Sequence, residues 1–98
     1  MDLHELRRKI DEIDDELIKL FQQRMELSAE IAMYKIEHEM PVYDPERERQ
    51  KLNDLSYKVH ERYKVDVITF FSSLFELSRN EQERIINSEV DFGEGVDR

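Results

Sequence analysis

The sequence predicts an all-α protein of three helices per chain, with a very long first helix, that assembles as an intertwined homodimeric helical bundle. Its composition is typical of helical proteins, since 40% of the 98 residues are charged and only two are Gly and two Pro. Apolar residues also recur at alternating steps of three and four from Leu3 to Tyr34, without an intervening Pro or Gly. This period indicates one helix that packs against other helices along its whole length.

The first helix is predicted from about Asp2 to His38, which makes it roughly 50 Å long. A compact monomer of about 100 residues has a radius of gyration of only about 13 Å. The chain cannot cover such a helix by itself, so we expect a second copy of the chain to cover the projecting end. The apolar positions of this helix, called the apolar seam below, are Leu3, Leu6, Ile10, Ile13, Leu17, Leu20, Leu27, Ile31 and Tyr34.

A cation interrupts the apolar seam, because Arg24 occupies the position that follows Leu20 in the repeat. An unpaired buried guanidinium costs several kcal/mol, so an anion is expected beside it. Taken alone, Arg24 is equally well explained as a side chain that reaches solvent along the helix, or as a residue that fixes helix register.

The two later helices follow from the turn signals between them. Pro41 ends the first helical run, and Asp44 is a typical N-cap before a Pro at the first helical position. The second helix is predicted over Pro45–Tyr63 and the third over Asp66–Asn87. Their inward-facing residues are predicted to be Leu52, Leu55, Val59, Val67, Phe70, Phe71, Leu74 and Ile85.

Composition also excludes several classes of protein. No apolar run is long enough for a membrane span, and the N-terminal residues lack the apolar stretch of a signal peptide. The net charge of −9 argues against nucleic acid as a partner, and the three scattered His and the absence of Cys predict no metal site. We expect a cytoplasmic protein with one domain at 1–87 and an acidic, disordered tail at 88–98.

Polar residues occupy positions on all three helices where the helical period predicts apolar ones. Arg24 and Lys35 are close to three turns apart, so they point to nearly the same side about 16 Å apart. Glu48 continues the apolar stripe of the second helix backwards by one turn, and Ser78 and Gln82 continue that of the third forwards. Each has a structural explanation alone, but together they predict a small pocket for an anion.

Arg7 cannot belong to the same pocket within one chain. It lies about 25 Å from Arg24 along the helix axis and is rotated by roughly 100°. Acidic neighbours make an exposed ion pair its ordinary explanation. If Arg7 binds a ligand, it serves the site of a partner subunit.

Four segments together resemble one family, the all-helical (AroQ-type) chorismate mutases. The segments are LRRKIDEID at 6–14, QQRMELSAEIAMYK at 22–35, PVYDPERER at 41–49 and LSRNEQ at 77–82, in the order and spacing of that family. The resemblance covers about residues 3–87. It implies an intertwined homodimer and the concerted Claisen rearrangement of chorismate, a dicarboxylate, to prephenate in phenylalanine and tyrosine biosynthesis, without cofactor or metal.

The resemblance also implies three catalytic residues. Arg24 resembles the arginine that binds a substrate carboxylate within the same chain. Lys35 resembles the lysine at the ether oxygen of the substrate, and Gln82 the second donor to that oxygen. Such donors stabilise the negative charge that develops on this oxygen in the transition state.

Five further substrate-binding residues are implied in the same way. Arg7 resembles the arginine contributed across the dimer, and Glu48 the carboxylate that accepts a hydrogen bond from the ring hydroxyl. Asp44 is expected to contribute through its backbone, Arg47 as a further arginine, and Ser78 near a substrate carboxylate.

Two positions depart from the family pattern or leave it open. Tyr43 stands where some members carry an arginine, which predicts fewer cationic contacts to one carboxylate. A shift of one residue in the third helix would turn Arg79 and Glu83 inward in place of Ser78 and Gln82. The spacing of four residues matches the family, so we predict Ser78 and Gln82.

Two other functions stay open from the sequence. An isochorismate-pyruvate lyase on the same scaffold also binds a dicarboxylate with a lysine and arginines. A non-catalytic helical interaction module explains the heptad pattern but not the polar residues on the inner faces of three helices.

Overall fold

The computed structural model describes the backbone of residues 1–94 and the side chains of residues 1–88. It contains helix α1 (Leu3–Glu37), helix α2 (Pro45–Ser56), a single 3₁₀ turn (Glu61–Tyr63) and helix α3 (Lys64–Glu94). The predicted all-α fold with a very long first helix is therefore confirmed. None of the helices in this part of the chain is both long enough and apolar enough to cross a membrane.

Both ends of α1 lie within one residue of their predicted positions. At its start, the Glu5 amide donates to the Asp2 carboxylate over 2.8 Å, which satisfies one of the free amides of the first turn. At its end, Glu39 has a φ of 52° and the Met40 amide donates to the Lys35 carbonyl over 2.9 Å. This Schellman motif reverses the chain toward α2.

The predicted boundary between α2 and α3 is wrong. The second helix ends at Ser56 and not at Tyr63, because the Tyr57 amide bonds back three residues in a tightened last turn. His60 then caps the 3₁₀ turn by accepting from the Arg62 amide.

The third helix begins at Lys64 and not at Asp66. It continues to Glu94, beyond the predicted end at Asn87. Of the predicted disordered tail, residues 95–98 lie outside the described residues, and the domain boundary at residue 87 stays a prediction.

The centre of the chain is small and partly polar. Helices α1 and α2 both pack on α3, and among the side chains of residues 1–88 the buried apolar ones are Ala32 of α1 and Phe75 of α3. Two polar side chains, Ser28 and Gln82, are equally buried. Phe70, which was predicted to face inward, is half exposed, whereas Phe75 five residues later is buried and contacts Arg24 of α1.

The chain is elongated, with a radius of gyration of 17.8 Å and principal extents of 62, 31 and 15 Å. All nine residues of the apolar seam are 47–60% exposed. Helix α1 instead meets α3 through a neighbouring face of smaller residues that includes Ser28 and Ala32. The apolar seam is therefore left uncovered by the chain that carries it.

Candidate active site

A cleft of about 460 Å³ opens between the C-terminal half of α1, the first turns of α2 and the middle of α3. This volume lies in the range of clefts that bind small molecules. The cleft brings together seven of the eight predicted site residues, namely Arg24, Lys35, Asp44, Arg47, Glu48, Ser78 and Gln82. The polar residues that interrupt the apolar stripes of three separate helices therefore line one cleft.

Arg24 is half-buried at one wall of the cleft. Its guanidinium carbon lies 5.6 Å from the centroid of the Phe75 ring, a cation–π contact. Burial lowers the pKa of Arg24 from its ordinary value, because desolvation disfavours the charged form. No carboxylate among the described side chains forms an ion pair with it. Arg24 is therefore a desolvated cation in a cleft, free to bind an anionic ligand.

Lys35 lies in the last turn of α1, where the chain reverses toward α2. Its ammonium nitrogen donates to the Val42 carbonyl over 2.7 Å. This bond fixes the end of the side chain over the cleft, and an ammonium has two further donors to offer. The Schellman motif thus determines where the lysine points, because it brings Val42 back beside α1.

The first turn of α2 contributes the acidic side of the cleft. The Asp44 carboxylate accepts from the Arg47 amide over 3.0 Å as the N-cap of the helix. Asp44 and Arg47 are exposed at the rim, whereas Glu48 is half-buried. The cap therefore directs Arg47 and Glu48 toward the cleft from consecutive positions.

A short chain of hydrogen bonds crosses the floor of the cleft between α1 and α3. The hydroxyls of Ser28 and Ser78 are 2.5 Å apart, and the Gln82 amide nitrogen lies 3.5 Å from the Ser78 hydroxyl. The Gln82 side-chain oxygen is buried and has no hydrogen-bond partner among the described atoms. A buried polar atom without a partner is costly, so this amide is suited to a ligand atom in the cleft.

Sequence reasoning missed Ser28, which lines the cleft and is almost fully buried. A signal for it was present, because Ser28 lies one turn after Arg24 and seven residues before Lys35 on the same side of α1. Because its side chain is small, the sequence pattern does not distinguish Ser28 from an ordinary residue of the face that packs against α3.

Arg79 also lines the cleft, although the sequence analysis turned it inward only with a shifted register. Its guanidinium is ion-paired with Glu48 and lies 5.1 Å from the centroid of the Tyr43 ring. The hydrogen bond to Glu48 raises the pKa of Arg79 above its ordinary value. A long side chain reaches the cleft from the flank of α3, so Ser78, Gln82 and Arg79 all line it without any shift.

Arg7 is the one predicted site residue outside the cleft of its own chain. It is exposed on α1, seventeen residues before Arg24, and this separation corresponds to about 25 Å. Arg7 does not line the cleft of its own chain, and its contribution to the site of a partner subunit stays a prediction.

The cleft is locally basic in an acidic protein. Five cationic side chains line it against two carboxylates, whereas the whole chain carries a net charge of −9. Within the described residues, no three His, Asp or Glu side chains are grouped so that they could hold a metal ion. The arrangement can bind a small anion at several points and present hydrogen-bond donors to it.

Comparison with known proteins gives a consistent result. The profile of a family described as chorismate mutase type II matches residues 6–83. A chorismate mutase of Methanocaldococcus jannaschii is 34% identical over 87 residues, which cover 86% of this chain and 87% of that protein. A crystal structure of chorismate mutase from Helicobacter pylori in complex with prephenate has a TM-score of 0.78 at 34% identity, over 87% of this chain and 93% of that one.

A part of the chain also matches longer proteins. The T-protein of Haemophilus influenzae is 48% identical over 46 residues, which cover 47% of this chain. The matched region is 12% of the length of that T-protein. The similarity to it therefore concerns a short region of a much longer chain.

Proposed function

The chain belongs to the chorismate mutase type II family, and from this premise we propose that its cleft is the site at which chorismate is rearranged to prephenate. The observation that carries the proposal is the convergence of Arg24, Lys35 and Gln82 on one cleft from two helices. The three side chains are a guanidinium that no described carboxylate pairs with, an ammonium and a buried amide. The reaction is unimolecular, so restraint of the substrate and charge stabilisation suffice to accelerate it.

Restraint comes from cations that bind the two substrate carboxylates. Arginine binds a carboxylate through two parallel hydrogen bonds, which fixes orientation as well as position. Arg24 is partly desolvated and has no ion pair with a carboxylate among the side chains of residues 1–88, so it gains most from such a contact. Arg47 stands at the rim of the same cleft. We assign both to carboxylate binding, with Ser78 as a neutral donor beside them.

Charge stabilisation is assigned to Lys35 and Gln82. The breaking C–O bond leaves partial negative charge on the ether oxygen, and donors aimed at that oxygen favour the transition state over the ground state. Lys35 has donors beyond the one that binds the Val42 carbonyl. A half-turn of the Gln82 amide would place its nitrogen where the partnerless oxygen now lies and its oxygen toward the Ser78 hydroxyl.

The first turn of α2 is assigned to the hydroxyl group of the substrate ring. The Glu48 carboxylate is an acceptor only when ionised, and one of its oxygens is bound by Arg79. The other oxygen is left to accept a hydrogen bond from the ring hydroxyl. Asp44 holds this turn as its N-cap, and we assign its backbone to substrate binding at the same end of the cleft.

The active assembly is proposed to be an intertwined homodimer. The exposed apolar seam is the support, because nine large apolar side chains in a row are not left in water by a stable monomer. A second α1 packed along the seam would carry its Arg7 to the far cleft. The cytoplasmic location expected from the sequence stays a prediction.

The direct test is to incubate the purified protein with chorismate and to follow prephenate. We expect conversion by the wild type, and Lys35→Ala to lower kcat by about 10²–10³-fold, the usual cost of one donor to a developing oxyanion. Lys58→Ala is the matched control, because Lys58 is exposed and outside the cleft. An unchanged rate in Lys35→Ala, or release of pyruvate from isochorismate without any prephenate from chorismate, would contradict the proposal.

A further inference from the structure

Three elements of the chain meet at one end of the cleft through Arg79. Its Nη1 donates to Glu48 Oε2 of α2, and its guanidinium lies over the ring of Tyr43 in the segment before α2. The ion pair is partly shielded, since the Arg79 and Glu48 side chains keep 29% and 24% of their surface exposed. Of the ion pairs among described side chains, this one alone joins two different helices.

The function assigned to Glu48 creates an electrostatic problem. An ionised carboxylate is required as the acceptor for a hydroxyl group, but the substrate of the cleft is itself a dicarboxylate. Like charges that share a site repel each other, and the repulsion grows as the ligand displaces water. A cation bound to the other oxygen of Glu48 would offset this repulsion without competing for the free oxygen.

On the basis of the proposed function, we propose that Arg79 is a positioning residue of the reaction, which holds the Glu48 carboxylate in place and offsets its charge beside the dianionic substrate. Arg79 binds Oε2, which leaves Oε1 as the acceptor for the hydroxyl group of the substrate. The Tyr43 ring restrains the guanidinium from its other side, at 5.1 Å from the ring centroid. Arg79 acts through Glu48 and is not itself assigned a contact with the reacting atoms.

This arrangement also assigns a function to Tyr43, whose ring contacts the Arg79 guanidinium. A tyrosine at this position adds no charge to the cleft, but its ring carries a guanidinium from a different helix. Arg79 thus supplies this cation from α3. Its guanidinium contacts both Glu48 and the Tyr43 ring, so it is held more firmly than a long side chain in solvent. The cleft gains a positive charge at this end through Arg79.

The test is a double-mutant cycle on kcat and KM with Arg79→Gln and Glu48→Gln, singly and together. In the wild-type background, Arg79→Gln is expected to lower kcat/KM about tenfold, the usual scale of a hydrogen bond to a charged group. Most of this loss should be in KM, because the unpaired Glu48 carboxylate repels the substrate dianion before any chemistry. In the Glu48→Gln background, where that charge is absent, Arg79→Gln should change kcat/KM by less than about twofold.

Two variants control for charge and folding. Arg84→Gln removes an arginine of the same helix that is ion-paired with Glu81 outside the cleft, and it should leave kcat/KM unchanged. Arg79→Lys keeps the charge without the planar fork and should restore KM most of the way to the wild-type value. Circular dichroism of each variant verifies that helix content is retained.

Equal losses from Arg79→Gln in both backgrounds would overturn the inference, since Arg79 would then act independently of Glu48. Wild-type kinetics in Arg79→Gln would overturn it as well, while the proposed function would stand. A wild-type protein that leaves chorismate unchanged would instead overturn the proposed function and this inference with it.

Discussion

Gln82 has only 6% of its surface exposed, and its amide carries no charge at any pH. A neutral amide can donate a hydrogen bond without first taking up a proton. Arg24 does not titrate in this range either. Burial lowers its pKa, but the ordinary pKa of arginine is so high that the guanidinium stays charged throughout the neutral range. At the residue scale, the donors of the cleft are therefore expected to be independent of pH.

We predict that kcat of the wild type is nearly flat from mildly acidic to mildly basic pH, whereas Gln82→Glu makes it steeply pH-dependent. An introduced carboxyl group donates only when protonated, so activity should be retained at low pH and lost as the pH rises through its pKa. Above that pKa, the carboxylate would repel the charge that develops on the ether oxygen. The pH profiles of kcat for both proteins provide the measurement.

A wild-type rate that collapses above neutrality with a carboxyl-like titration would contradict the assignment of Gln82 as a donor. Ser88→Ala offers a control on the same helix, because Ser88 is exposed and outside the cleft. Its profile should coincide with that of the wild type.

At the scale of elements, the turn that ends α1 has an unfavourable backbone conformation but positions the side chain of Lys35. Glu39 adopts a φ of 52° in the left-handed region, where residues other than Gly are disfavoured by about 1–2 kcal/mol. The same turn returns Val42 to the Lys35 ammonium, 2.7 Å from its carbonyl. The turn therefore positions Lys35, to which we assign a catalytic role, although Glu39 is poorly suited to the left-handed conformation.

We predict that Glu39→Gly raises the free energy of unfolding by about 1 kcal/mol, because Gly adopts the left-handed conformation without the steric cost. Denaturant unfolding at one fixed protein concentration gives the measurement. Glu30→Gly is the matched control at an exposed position inside α1, and it should lower the same free energy by about 1 kcal/mol. A loss of stability in both variants would show that the turn does not favour Gly.

At the scale of the whole molecule, length decides the architecture. The extent of 62 Å and the uncovered apolar seam show that one chain cannot enclose its own first helix. Arg7 lies toward the far end of that helix, about 25 Å from Arg24. A helix of this length can supply Arg24 and Lys35 to one site and Arg7 to another.

We predict that inactive Arg7→Ala and Lys35→Ala subunits complement each other when they are mixed. In a mixed dimer with shared sites, one site receives both intact residues and the other receives neither. Random pairing at equal amounts should then give about a quarter of the wild-type activity, since half of the dimers are mixed and each has one intact site. Two different affinity tags allow the mixed dimers to be isolated and assayed.

Isolated mixed dimers should reach half of the wild-type activity per dimer. No recovery in dimers shown to carry both tags would rule out Arg7 as a residue shared across the interface.

The helical period was sufficient to predict three of the residues that line the cleft. Arg24, Lys35 and Gln82 interrupt apolar stripes, and an interruption is visible in one sequence without any structure. Ser28 and Arg79 were missed for opposite reasons. Ser28 is too small to stand out on a packed face, and Arg79 reaches the cleft by the length of its side chain from a position that the period assigns to the flank.

The sequence by itself determined the helical class and the extent of α1, because these depend on a local period and on caps within a few residues, and it predicted seven of the residues that line the cleft. The end of α2 at Ser56 and the ion pair of Arg79 with Glu48 were decided only by the tertiary structure. The ion pair depends on how α2 and α3 approach each other, and residues 31 positions apart carry no local signal of their pairing. The apolar seam depends on both, because its period is read from the sequence but its exposure is seen only in the folded chain.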